Sequence, residues 1–156
     1  MLFEEQPEAN LRSCIQMVEA VLVDLGHDAR RARLVPAAEQ GPNVVAAWGI
    51  HKGSAEVIIT VARETGASYL RAASTVALLP EGDARAPLLA RLLEMNAGEV
   101  RGAAFGVRED AVVLAAERSI LDLDPTEVLD IVQRVESYAD RFDDQLIAEF
   151  GARPPT

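Results

Sequence analysis

Three strand-like runs, Val44 to His51, Ala55 to Arg63 and Ser68 to Leu79, are separated by short glycine-bearing connections, and this spacing constrains the chain more than any other feature. Lys52-Gly53 ends the first run, Thr65-Gly66 ends the second, and Pro80 with Glu81-Gly82-Asp83 ends the third. Connections this short between β-rich runs predict antiparallel hairpins, and so a three-stranded meander. In the second run Val57, Ile59 and Val61 alternate with Glu56, Ile58 and Thr60, which gives one core face and one partly wet face. In the third, Tyr69 and Arg71 share the face opposite Leu70, Val76 and Leu78.

Helical periodicity flanks the meander. A first helix is expected from Pro7, a residue suited to the first helical position, to a stop at Gly26. Leu11, Ile15, Val18, Leu22 and Leu25 form its stripe, with Cys14 and Val21 beside it. A charged connector from Asp28 to Gln40 follows, in which Arg33-Leu34-Val35 offers a short strand before Pro36. A second helix is expected from about Pro87, with Leu88, Leu89, Leu92, Leu93 and Met95 as a broad apolar face and an end at Asn96-Ala97-Gly98. Two more strands, Gly102 to Val107 and Ala111 to Ala116, flank the Arg108-Glu109-Asp110 turn.

The last helix has the clearest start. Asp124 is the expected N-cap, Pro125 takes the first helical position, and Glu127 closes a capping box. Val128, Val132, Val135, Ala139, Phe142 and Leu146 carry a buried stripe toward Phe150, and residues 151–156 are expected to be a frayed tail. The fold class is therefore α+β: helix, three-stranded antiparallel meander, helix, β-hairpin and long C-terminal helix. With no linker or internal repeat, residues 1–150 read as a single domain.

At 156 residues the chain is long enough to build its own core. Hydrophobic residues make up 49% of it but aromatics only 4%, so that core is aliphatic. A lone cysteine rules out an internal disulfide. Glu4, Glu5 and Glu8 stand where a secretory signal would carry positive charge, and no run reaches the ~18 apolar residues of a membrane span. The expected location is cytoplasmic, away from membranes.

Charge is informative for where it lies. Between Glu109 and Glu149 twelve acids meet only Arg118, Arg134 and Arg141, or −9 of the chain's −10. Such a surface repels phosphate, which argues against direct nucleic-acid binding. Glu136, Asp140, Asp143 and Asp144 lie close together on the last helix. The plain reading is a solvated face that keeps the protein soluble; the functional reading is a docking surface for a basic partner.

Nothing catalytic emerges. His27 follows a helix stop and His51 ends a strand; neither stands at ligand spacing from the other or from Cys14. Cys14 lies beside an apolar stripe, where a free cysteine behaves as a small buried hydrophobe rather than a nucleophile. The glycines between Gly98 and Gly106 match neither a P-loop nor a dinucleotide fingerprint. Asp122, Asp124 and Glu127 lack the rest of a calcium loop and are explained as a helix cap. No enzyme, cofactor or metal is expected.

The stretch Leu92-Leu93-Glu94-Met95-Asn96, then Ala104-Phe105-Gly106-Val107, the Arg108-Glu109-Asp110 turn, Val112-Val113-Leu114, and Leu123-Asp124-Pro125-Thr126-Glu127 before a long helix resembles the YbjN family. That family looks like the type III secretion chaperone fold, and by architecture the resemblance covers nearly the whole chain. It implies a non-enzymatic, usually dimeric protein that binds other proteins as chaperone or regulator, with no catalytic residues to carry over.

The expectation is therefore a protein-binding module that docks through Glu136, Asp140, Asp143 and Asp144 and dimerises through the middle helix or the hairpin, at Leu88, Leu92, Met95 and Phe105. The alternative is a small-molecule or sensory domain with a pocket between sheet and helices, lined by Trp48, Tyr69 and Arg71. As plain strand residues those three need no ligand.

Overall fold

A computed structural model describes residues 5–37 and 40–155; Met1 to Glu4, Ala38, Glu39 and Thr156 lie outside the described residues. The elements run α1 (Glu5–Asp24), α2 (Ala29–Ala32), β1 (Arg33–Leu34), β2 (Val44–Lys52), β3 (Ala55–Glu64), β4 (Ala67–Leu78), α3 (Arg85–Gly98), β5 (Ala104–Arg108), β6 (Ala111–Ser119) and α4 (Pro125–Phe150), with a 3₁₀ turn at Gly82–Ala84 before α3. The described strands form one sheet in the order β1-β2-β3-β4-β6-β5. β1 pairs antiparallel with β2, and β5 with β6. β4 and β6 also run antiparallel: Ile120 at the end of β6 donates to Ser68 O at the start of β4, and Leu79 just past β4 donates to Asp110 O just before β6.

This is the expected α+β order, with two additions. Arg33-Leu34 does form a strand, opposite Trp48 and Ala47. The charged connector also holds α2, a single turn that sequence periodicity cannot resolve at four residues, started by the Asp28 carboxylate accepting from Arg30 N (3.0 Å) and Arg31 N (3.2 Å).

Chain contacts divide the protein into two compact units. The first holds the chain up to Ile50, with Ile58–Ala72 and Glu117–Val132. In it α1 ends where Gly26 requires: Gly26 takes φ +89°, Gly26 N donates to Val23 O and His27 N to Leu22 O, both at 2.9 Å. That pair of bonds is the Schellman termination, and a Cβ would resist its left-handed residue. The stripe of α1 is rotated slightly from the expected one. Leu11, Cys14, Val18, Val21 and Leu22 are buried, whereas Ile15 and Leu25 are half-buried. Trp48 is fully buried on β2 beneath the guanidinium of Arg33, 4.8 Å from the ring centroid, and Arg33 also pairs with Glu19 at 2.9 Å. Val57, Ile59 and Val61 are buried as the alternation of β3 predicts, although Val57 falls in the second unit.

The start of α4 also belongs to the first unit, and its cap forms as the sequence requires. Glu127 N donates to the Asp124 carboxylate and Asp124 N to the Glu127 carboxylate, each at 3.0 Å. Two of the helix's orphan donors and its first-turn geometry are thereby fixed.

The second unit holds His51–Val57, Ala73–Ala116 and the chain from Gln133 on. Its core joins Leu88, Leu92 and Met95 of α3, Phe105 of β5, Val112 and Leu114 of β6, and Ala139, Phe142 and Leu146 of α4. Phe142 sits at its centre, edge-on to Phe105 (centroids 6.0 Å) and stacked on Tyr138 (5.9 Å). In β4 the buried side chains alternate through Ser74 and Val76, then shift to Ala77 and Leu79. Leu78 is therefore only half-buried and does not share the face of Val76 as expected.

The tail is not frayed. Gly151 N donates to Ile147 O, Ala152 is buried in the core, and Arg153 exchanges two backbone bonds with Leu78 (2.8 and 3.0 Å). Sequence composition suggested an unpaired end because Gly151, Pro154 and Pro155 break a helix; they do not prevent one residue between them from pairing.

Two outcomes follow from this packing. Asp124→Ala should lower stability by about 1 kcal/mol in urea titration, with an unchanged denaturant slope, because one cap bond is lost and nothing in the core moves. Burial pushes the Cys14 thiol up to about 11 from an ordinary 9.0. The unfolded thiol therefore ionises first, so stability should be undiminished below about pH 9 and fall as pH rises from there toward about 11. Cys14→Ala should cost about 1 kcal/mol at neutral pH and remove that part of the alkaline loss, as read by thermal melts across pH.

Candidate functional site

The groups that sequence reading considered for chemistry are placed as packing residues or surface residues. Cys14 is 2% exposed and its raised pKa is the opposite of what a nucleophile needs. His51 is exposed at the end of β2, and His27 is half-buried just past the Schellman turn. Among the described residues no group of three or more His, Cys, Asp or Glu side chains is placed to hold a metal ion.

The four acids of the expected docking face separate. Asp140 and Asp144 are exposed, but Glu136 is 3% and Asp143 6% exposed. Residues 136 and 143 stand two turns apart, one position past the buried Val135 and Phe142, so helical geometry places both on the flank of the core stripe. Asp143 has a structural task there: it accepts a hydrogen bond from the Ser54 hydroxyl. The neighbouring Gly53, at φ +58°, lies so close to the Asp140 carboxylate that a Cβ would overlap it. The β2–β3 turn is thus seated on the acidic flank of α4, and only part of that flank faces water.

The expected dimer contacts also lie elsewhere than on the surface. Leu88, Leu92, Met95 and Phe105 are all at most 7% exposed and form the core of the second unit. Periodicity gives these residues an apolar face but does not reveal the partners that β6 and α4 supply. The exposed apolar residues of the same elements are Leu93 (70%) and Val107 (44%). β5 is an edge strand, and one of its residues is already closed: Asn96 on α3 accepts from Phe105 N at 2.7 Å and donates to Phe105 O at 3.0 Å. The sequence marked Asn96 as a helix end and missed this clasp.

In the first unit an open groove of about 480 Å³ runs past the first turns of α1, the β3–β4 turn and the end of β6. Pro7, Glu8, Arg63, Ser68, Ser119 and Leu121 are among its lining residues, and Arg63 pairs with Glu8 across it. Trp48, Tyr69 and Arg71, the lining expected for a small-molecule pocket, do not border this groove. Trp48 is fully buried, while Tyr69 and Arg71 are half-buried on β4. No helix of the described residues is long and apolar enough to cross a membrane.

Comparison with known proteins gives a family and a remote structural likeness. No curated protein matches the chain. A solved structure of the heterodimeric ExoU–SpcU complex from the type III secretion system of Pseudomonas aeruginosa matches with a TM-score of 0.48 at 14% identity, covering 83% of this chain and 94% of that one. The profile of TY-Chap1, described as the T3SS (YopN, CesT) and YbjN peptide-binding chaperone 1, matches residues 42–155 and leaves α1, α2 and β1 outside the matched region. With most of its length matched, the chain belongs to this family of peptide-binding chaperones.

Proposed function

We propose that the protein is a non-enzymatic chaperone-like module, working in the cytoplasm, that docks on a segment of another protein and protects or regulates it. The observation that carries this reading is membership of a peptide-binding chaperone family over residues 42–155. The placement of Cys14 in the core supports it, because it removes the chain's one thiol from chemistry. A partner with a basic patch is favoured by the formal charge of −10, with Asp140 and Asp144 as the solvent-facing contacts. Nucleic-acid-binding proteins are one class with such patches. The test is affinity capture from the native host with mass spectrometry, followed by measured binding of the purified partner; failure to find a saturable protein partner overturns the reading.

Charge screening makes the docking surface testable. Exposed charges act over about 8–10 Å at physiological salt, so removing two of them acts on association and on its salt dependence. Asp140→Asn with Asp144→Asn should weaken partner binding by roughly threefold at low salt and flatten the salt dependence, with folding intact. Glu136→Gln or Asp143→Asn should instead lower stability, because each leaves a buried environment altered. Equal affinity and salt slope for the double variant and the wild type, in titrations from low to high salt, would make the acidic face a solubilising surface only.

The protein should also be a homodimer. Leu93 and Val107, exposed beside the closed part of β5, are the contacts this requires in place of the buried residues named above. Light scattering at micromolar concentration should give twice the 16.8 kDa chain mass, and Leu93→Glu should halve it.

A further inference from the structure

β3 has 10 residues and β4 has 12, and the two are joined by a two-residue turn, so β4 overhangs the start of β3 at Ala55 by about two residues. At that overhang the residues of β4 point their backbone groups alternately to either side. Leu79 N turns toward Asp110 O, on the β6 side, so the N–H and C=O of Leu78 face the side that β3 vacates. Arg153 fills this place: Leu78 N donates to Arg153 O at 2.8 Å and Arg153 N to Leu78 O at 3.0 Å. The Arg153 guanidinium reaches Leu79 O at 3.4 Å, and Ala152 beside it is 5% exposed in the core. Pairing stops after one residue because beyond Arg153 the antiparallel tail runs toward Val76, where β3 begins, and Pro154 and Pro155 carry no N–H.

We infer that this overhang is a strand-acceptor site for an extended segment of a partner protein in which a small apolar residue precedes an arginine, and that residues Gly151 to Arg153 are its built-in placeholder. The inference rests on the peptide-binding reading and deepens it by naming where and what the segment would be. The seated tail displays the chemistry the site accepts: backbone pairing at Leu78, a hole the size of an alanine methyl, and a carbonyl at Leu79 for a guanidinium. A partner segment meets the same three features and competes with the tail through its own concentration. Tethering gives the tail a high local concentration, so the site is held closed until such a segment is present.

The probe is a fluorescein-labelled synthetic peptide with alanine-arginine at its centre and valine and threonine where the tail has prolines. A control peptide carries glutamate in place of the alanine. On the full wild-type chain, excess peptide should speed exchange of the Arg153 amide while the Leu78 amide stays protected, read residue by residue by NMR. Ala152→Glu, which expels the tail, should bind the peptide at least about tenfold more tightly than wild type, since it frees the competent state. The control peptide should do neither. If Ala152→Glu does not fold, the wild-type exchange measurement decides alone. An Arg153 amide that keeps its protection at excess peptide, or equal binding of the two peptides, overturns the inference. A partner that binds with the Arg153 amide unmoved overturns this site and leaves the peptide-binding reading standing. Displacement of the tail by the peptide with no partner found does the reverse.

Discussion

The buried stripe of α4 is the constraint on which the rest depends. Val128, Val132, Val135, Ala139, Phe142 and Leu146 are each no more than 1% exposed, on a helix that otherwise carries acids. Full burial of a Val, Leu or Phe side chain contributes roughly 1.5–3 kcal/mol, whereas repulsion between exposed acids is screened by water and salt. The apolar stripe therefore sets the rotation of α4, and the acids take whatever positions remain. Within the second unit Phe142 then fixes its neighbours: Phe105 meets it edge-on, Tyr138 stacks on it, and the Tyr138 hydroxyl accepts from Arg101 N at 3.1 Å. These two rings, Phe142 and Tyr138, tie the helix to the edge strand β5 and to the loop before it.

That rotation also decides what the acids can do. A carboxylate carried inward must be hydrogen-bonded or it costs several kcal/mol. Asp143 meets this need through Ser54, and Glu136 is likewise engaged. These two add to the formal charge without adding to an exposed acidic face. The exposed acids are what a basic partner meets, and Asp140 is divided between that role and its closeness to Gly53. Counting charge along the sequence gives its total correctly but not the fraction that reaches solvent.

Most of the fold was legible because its signals are local. Gly26 and the Asp124-Pro125-Glu127 cap act through bonds to residues three to five positions away, and Gly53 and Gly66 take the left-handed φ that suits their turns. The α4 stripe was legible because a 3.6-residue period survives over 26 residues. What was missed depends on distant partners. Cys14 and Val21 lie deeper than Ile15 and Leu25, a rotation set by what α1 meets and not by its own spacing. Leu88, Leu92, Met95 and Phe105 were expected as dimer contacts because the sequence does not reveal that β6 and α4 cover them. The Arg153 bridge to Leu78 joins residues far apart in the chain and carries no local signal.

The two single-residue closures in the second unit differ in how firmly they hold. An exposed strand edge invites pairing with another chain, and an amide side chain can satisfy it as a backbone does, with one donor and one acceptor. Asn96 does this for Phe105, but it is carried on α3, whose Leu92 and Met95 are core residues. The core thus fixes where the clasp is carried, and it opens only when the amide side chain itself swings away. The tail closes Leu78 with the same pair of backbone bonds, yet its core anchor at that bridge is the methyl group of Ala152. Peeling it away exposes little apolar area, so the loss is offset by any segment that remakes the two bonds and fills the same small hole.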